Sequence, residues 1–123
     1  MAQTALDLFA FGSRMKGPRP PRLGVDLFPD DDGMIGPEWP DTANGASTFG
    51  DVTQCALSGH YFRLSAGTEL PEEIGLIADG QDIRAGSIHP PTHHTLFPQR
   101  RIHWERFVEI FEKLPWRYAG RKT

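Results

Sequence analysis

The sequence lacks several features that mark common classes of protein. Its single cysteine, Cys55, allows neither an intrachain disulfide nor a cysteine-based zinc site. No apolar run approaches the roughly 20 residues that cross a bilayer, and the first residues do not resemble a secretory signal. Its 13 basic residues are outnumbered by 16 acidic ones, whereas a protein that binds nucleic acid by neutralising phosphates normally has a basic excess. We therefore expect no membrane role, a reducing compartment, and a main ligand other than nucleic acid.

Local catalytic and metal-binding signatures are missing as well. There is no Walker-type phosphate loop and no Gly-x-Ser-x-Gly elbow. Cys55 lacks the basic or helix-start setting that lowers a thiol pKa, so an inert, partly buried thiol is expected. The acidic run 30–32 lacks the alternating ligands of a calcium loop and predicts a solvated turn. Four histidines crowd the last third of the chain, but no two share a helix face, and we predict no metal site: His89, His93, His94 and His103.

The residues that are present predict one α+β domain over 1–123, because this length supports one core. Short runs of apolar and aromatic residues predict strands at 5–11, 59–64, 75–78 and 92–97. Only one segment has a helical period: apolar residues recur every three or four positions over 99–114, and Pro115 ends the pattern.

Between the first strand and the rest lies a long loop, 12–48, with six glycines and six prolines in its 37 residues. This density excludes long regular elements, yet apolar anchors recur along it, which indicates an ordered insertion packed on the core. Its basic part, 14–22, could clamp a pyrophosphate, contact an acidic partner or lie solvated.

Two polar patterns fall on predicted strands. Ser47 and Thr48 follow an Asn-Gly turn, and their hydroxyls could cap backbone groups or hold the hydroxyls of a ligand. His93 and His94 are adjacent, so they point to opposite faces of a strand. If Leu96 faces the core, His94 does too. We therefore expect one of the two histidines to look out of the sheet, into a cleft.

Several motifs occur in an order that resembles the ADP-ribosyltransferase-like toxins, and among them the Tse effectors of bacterial type VI secretion. The motifs lie at 45–49, 67–71, 79–80 and 92–98, and the amphipathic helix follows them. The resemblance covers roughly residues 45–114, with a weaker echo at 6–9. It implies a small split antiparallel β-sheet or β-sandwich core with few helices.

The resemblance also implies an activity and its setting. These toxins use NAD as a substrate, held in a cleft, so the chain would be an ADP-ribosyltransferase or an NAD glycohydrolase. They act in the cytoplasm of a target cell, reach it without a cleavable signal, and are neutralised by a cognate immunity protein. The catalytic candidates are His93, Ser47 and Thr48, and the NAD-binding candidates are Arg14, Phe49 and Tyr61.

Three points stay open at this level. Glu69 and Glu105 are the candidates for a carboxylate that holds the ribose. The acceptor of ADP-ribose could be a protein, a nucleic acid, a small molecule or water. Finally, the chain could be a catalytically inactive relative that binds a protein through Trp39 and the long loop, or a small ligand-binding β domain without transfer chemistry.

Overall fold

Strands dominate the part of the chain that the computed structural model describes, which is residues 3–36, 44–55, 57–78, 80 and 92–123. Their bounds in these ranges are β1 Leu8–Ser13, β2 Gly17–Pro18, β3 Met34–Ile35, β4 Ala46–Phe49, β5 Gly59–Leu64, β6 Ile74–Ile77, β7 His93–Pro98, β8 Ile102–His103 and β9 Arg117–Lys122. A 3-10 helix covers Val52–Gln54, and helix α1 covers Trp104–Lys113. The α+β class with antiparallel strands and few helices, predicted from the sequence, is confirmed.

The main sheet is antiparallel and places the first strand in its middle. Its order is β6-β7-β4-β1-β5-β9, and β2 adds a short hairpin to β1. β3 and β8 form a separate two-stranded sheet. Because β1 pairs with β4 on one side and β5 on the other, residues from distant parts of the sequence meet on the central strands.

Side chains alternate between two faces of this sheet. One face, here called the helix face, carries Leu8, Ala46, Leu64 and Leu96, and these pack in one core with α1. Phe107 and Phe111 of α1 are at most 1% exposed. The helix therefore covers the centre of the sheet from one side, and the opposite side carries the residues of the candidate site.

Helix α1 is shorter than its amphipathic stripe. The pattern predicts a start near residue 99, but 102–103 form β8 and pair with β3 instead. The helix begins at Trp104, where the imidazole of His103 accepts a hydrogen bond from the amide of Glu105 as an N-cap. It ends at Lys113, close to the end that Pro115 predicts.

The remaining strand predictions differ from the structure mainly at their ends. The strand predicted at 59–64 is confirmed, and those at 75–78 and 92–97 are each displaced by one residue. The first strand begins at Leu8 rather than at residue 5, because Thr4 and Asp7 bond the turn at 65–68. Strand β4 takes the last three residues of the predicted loop 12–48. The sequence patterns did not predict β9.

Candidate functional site

The pairing of β4 with β7 brings two of the motif segments together. Phe49 lies directly opposite His93, and Ser47 lies opposite Thr95. The phenyl ring of Phe49 and the imidazole of His93 meet edge to face, with centroids 5.3 Å apart and planes at 74°. Three of the predicted site residues, Ser47, Phe49 and His93, therefore share the face opposite the helix.

Aromatic rings continue across this face on β1 and β5. Phe11 lies 6.3 Å from Phe49 and 5.8 Å from Tyr61, and Phe9 lies 5.9 Å from Tyr61, measured between centroids. Phe9, Phe11 and Tyr61 are half-buried, so part of each ring meets solvent. We call these rings, with His93, the aromatic face. Tyr61, one of the NAD-binding candidates, falls within it. Phe9 and Phe11 were not singled out from the sequence, although their alternation with Leu8 and Ala10 was the available signal.

Thr48 does not join the aromatic face. It alternates with Ser47 and Phe49 and points to the helix face, where it is fully buried. Its hydroxyl donates a hydrogen bond to the backbone oxygen of His94 at 3.0 Å. Of the two uses that the sequence leaves open for these hydroxyls, Thr48 therefore bonds a backbone group. It does not line one site together with Ser47, because adjacent residues of a strand face opposite sides.

The two histidines of β7 point to opposite faces as expected, but neither opens onto solvent. His93 is 2% exposed and His94 is 7% exposed. The ring of His94 bonds the backbone oxygen of Thr92 at 2.7 Å through Nδ1. Because a carbonyl only accepts, Nδ1 carries the proton, and Nε2 is the acceptor of the neutral ring. The prediction that one histidine looks out of the sheet is wrong.

Arg14 lies away from the aromatic face. Its guanidinium lies over the ring of Tyr118, 5.5 Å from the centroid. Tyr118 is paired with Phe62 of β5 and contacts it edge to face, so both belong to the helix side of the sheet. The structure therefore does not bring Arg14 together with the other NAD-binding candidates, Phe49 and Tyr61.

A different arginine stands beside the aromatic rings. Arg63 is the direct neighbour of Phe9 on β1 and of Arg117 on β9, and both arginines are exposed. Like charges directly opposite each other in a sheet repel and destabilise the pairing unless an anion lies between them. The sequence did not predict this pair because it did not predict β9. The two arginines are neighbours only through the pairing of β5 with β9.

A concave feature lies at the β1–β2 hairpin. A cavity of about 490 Å³ is formed by the hairpin, by Leu57 and Ser58 and by Glu112 of α1. Lys16 and Arg19, from the basic part of the predicted loop, lie on its wall. The cavity contains none of the predicted catalytic residues and takes in only the edge of the aromatic face, at Phe11.

The carboxylates with a clearly shifted pKa stand apart from the aromatic face. Hydrogen bonding to Arg101 lowers the pKa of Asp30, bonding to Thr53 lowers that of Asp51, and bonding to Lys113 lowers that of Glu109. All three are exposed groups that stabilise their charged form through local partners. They mark structural contacts rather than a poised acid or base.

The remaining candidates separate into three groups. Cys55 is buried, as expected of a structural thiol. Trp39, Asp79 and His89 lie outside the described residues. Glu69 bridges Gln3 at the N-terminal end, and Glu105 lies at the start of α1, so neither shares a strand with the aromatic face.

The described residues hold neither a metal-binding cluster nor a membrane-spanning helix. No three histidine, cysteine, aspartate or glutamate side chains in that part of the chain are grouped to hold a metal ion. In the same residues no helix has the length and apolar character needed to span a membrane. In comparisons with known proteins, no family model, no curated protein and no solved structure matches the chain.

Proposed function

We propose that the chain is a bacterial cytotoxic effector with NAD-dependent ADP-ribosyltransferase-like activity, acting in the cytoplasm of a target cell and neutralised by an immunity protein. The observation that carries the proposal is the aromatic face itself. Segments 47–49 and 93–95, which carry two of the motifs of the resemblance, pair in register and present Ser47, Phe49 and His93 on one side of the sheet. Tyr61 joins them through Phe11.

The exposed members of this surface offer the contacts that a dinucleotide requires. The half-buried rings of Phe9, Phe11 and Tyr61 present apolar faces on which nicotinamide or adenine can stack. The exposed hydroxyl of Ser47 can bond a ribose hydroxyl. Under this proposal Arg63 takes the role expected of Arg14, because it is the cross-strand partner of Phe9 and its guanidinium can pair with the diphosphate.

His93 has a different part in this scheme from the one its motif implies. At 2% exposure its imidazole is covered, and it contacts Phe49, which is itself only 6% exposed, edge to face. It is therefore a positioning residue that fixes the ring of Phe49 and the register of β4. Cleavage breaks the bond between the nicotinamide nitrogen and C1′ of the ribose, and nicotinamide leaves with the electron pair. Water or another nucleophilic acceptor forms the new bond to C1′ and releases its proton to solvent. The surface contributes by holding the ribose while positive charge develops on it.

The test uses the two tyrosines of the chain, which lie on opposite faces. Purified protein is mixed with NAD, and nicotinamide release and the NAD-dependent rise in melting temperature are followed. Tyr61→Leu is expected to weaken NAD binding at least about tenfold, the loss of roughly 1.4 kcal/mol of stacking. Tyr118→Leu is the matched control and should retain binding. Equal loss in both variants, or no NAD-dependent shift in the parent protein, contradicts the proposal.

Toxicity supplies an independent measurement. Expression of the parent protein in the bacterial cytosol should arrest growth, and Ser47→Ala with Tyr61→Leu should relieve the arrest. For His93, the variant His93→Asn keeps a polar group of similar reach and should retain more activity than His93→Ala if the role is positioning. A His93→Ala variant as toxic as the parent excludes any part for this residue.

A second function is favoured by two placements. The hydroxyl of Thr48 is used inside the core, and Arg14 is held on Tyr118, so two of the six predicted site residues lie away from the aromatic face. A catalytically inactive relative that binds a protein partner would tolerate both. It predicts neither growth arrest on expression in the cytosol nor release of nicotinamide.

A further inference from the structure

The basic residues in the described part of the chain fall into two groups that occupy different parts of the molecule. One group makes ion pairs with carboxylates: Arg22, Arg100, Arg101, Arg106 and Lys113. The other makes no ion pair with any residue that the structure describes: Arg14, Lys16, Arg19, Arg63, Arg117, Arg121 and Lys122. The second group lies on the β1–β2 hairpin, at Arg19 directly after it, on β5 and on β9.

The segments that carry this second group contain no acidic residue. Neither aspartate nor glutamate occurs in 8–20, 57–64 or 115–123. The net charge of −3 is thus an average over a molecule whose β5–β9 edge is basic. Repulsion among such cations is relieved when a polyanion binds, and a local basic surface attracts one regardless of total charge.

One face of the β5–β9 edge carries a cluster of basic and aromatic side chains. His60 pairs with Arg121, and Phe62 pairs with Tyr118, so these side chains lie on one side of β5 and β9. A β-bulge on β9 inserts one residue between the two pairs, which places Tyr118 and Arg121, three residues apart, on the same face. We call Arg14, His60, Tyr118 and Arg121 the basic edge.

Tyr118 is held in a fixed position at the centre of the basic edge. Its hydroxyl bonds Nδ1 of His60 at 2.9 Å, and Arg14 lies over its ring. The residue nevertheless remains 45% exposed. An exposed aromatic ring is a stacking surface for unpaired bases, and nearby arginines supply phosphate contacts.

We propose that the basic edge binds single-stranded nucleic acid without regard to sequence. Arg14 and Arg121 contact successive phosphates, and a base stacks on the exposed part of the Tyr118 ring. An acidic protein would be attracted by the same charges but has no use for the stacking surface. This inference does not depend on the proposed NAD site, because the aromatic face lies on the other side of the sheet.

The test measures fluorescence anisotropy of a labelled oligo(dT) of about twelve nucleotides against salt concentration, with the full chain. Two phosphate contacts predict a slope of about −1.4 for log K against log salt. The double variant Arg14→Gln/Arg121→Gln should weaken binding at low salt at least about tenfold and abolish most of the slope. The control variant Arg100→Gln/Arg106→Gln removes the same charge from two arginines that already pair with carboxylates. At salt concentrations that screen long-range attraction to the oligonucleotide, it should bind like the parent.

Two further variants and a competing polyanion distinguish nucleic-acid binding from the alternatives. Tyr118→Leu should weaken oligo(dT) binding severalfold without changing the slope, and Tyr61→Leu should leave both unchanged. Poly-glutamate should compete poorly with oligo(dT), and equal competition by poly-glutamate identifies an acidic protein as the occupant and overturns the proposal. Loss of binding in the Arg100/Arg106 variant alone, or no salt-dependent binding by the parent, overturns it too. Tyr61→Leu reports on NAD, so the two proposals fail separately.

Discussion

Ser47 and Thr48 are neighbours on β4 with opposite surroundings. Thr48 is fully buried and donates to the backbone oxygen of His94, whereas Ser47 is exposed on the aromatic face. Thr48→Val keeps the shape and removes the donor, so we expect a loss of about 1–2 kcal/mol in the free energy of unfolding. Ser47→Ala should change it by less than about 0.5 kcal/mol. Urea denaturation of both variants measures the difference, and equal losses would contradict the assignment of faces.

Gly45 is required by the closeness of two backbones rather than by its own conformation. A Cβ atom there would lie 2.6 Å from the backbone oxygen of Leu96 and 2.4 Å from Cγ2 of Thr95. Gly45→Ala must push β4 away from β7, and we expect a cost of about 1–3 kcal/mol. Gly36→Ala is the control, because the nearest atom to its Cβ would be 4.0 Å away. Comparable thermal midpoints for the two variants would rule out this close approach.

At the level of elements, the sequence patterns predicted those strands that are specified by their own residues. The run at 59–64 is rich in aromatic and apolar side chains, and the strand has those bounds. Strand β9 has no such pattern, because Arg117, Gly120 and Arg121 give no alternation. Its pairing is decided by β5, which presents an edge and aligns Phe62 with Tyr118. The start of α1 was likewise decided elsewhere, since β3 takes residues 102–103 for pairing.

The connection between α1 and β9 depends on one tryptophan. The indole of Trp116 donates to the backbone oxygen of Phe111 at 2.9 Å and packs on its ring. Trp116→Phe keeps an aromatic ring and loses the donor, which should cost about 1 kcal/mol. The loss should appear mainly as faster hydrogen exchange of β9 amides, while those of β1 change less. Trp104→Phe serves as the matched control, and a uniform change across the sheet would contradict a local role for Trp116.

At the scale of the whole molecule, the exposed ion pairs predict how the fold responds to acid. Hydrogen bonds from Arg101 and from the amides of Met34 and Asp32 hold the pKa of Asp30 below its ordinary value. A carboxylate with a lowered pKa stabilises the fold above its unfolded pKa, and that contribution is lost as the pH falls below about 4. Asp30→Asn should therefore reduce the drop in melting temperature between pH 5 and pH 2. Asp31→Asn, next to it, should not.

Only part of the candidate site could be predicted from the sequence, because the rest depends on how distant strands and the helix are arranged. Motif order identified Ser47, Phe49 and His93, which the register of β4 and β7 brings together. Alternation along a strand puts Ser47 and Thr48 on opposite faces, but which of the two faces the site depends on which side of the sheet α1 covers. Motif order could not find Arg63 beside Phe9, since that contact depends on β1 lying in the middle of the sheet.

The thiol of Cys55 can report when the corner of the molecule at the end of β9 opens. Cys55 is 5% exposed, its sulfur accepts from the amide of Leu57 at 3.3 Å, and its carbonyl accepts from the ammonium of Lys122 on β9. A maleimide can alkylate the sulfur only when this corner opens. The rate at which maleimide labels Cys55 therefore measures how often β9 separates from this corner, and no cysteine has to be introduced. Lys122→Ala should increase that rate.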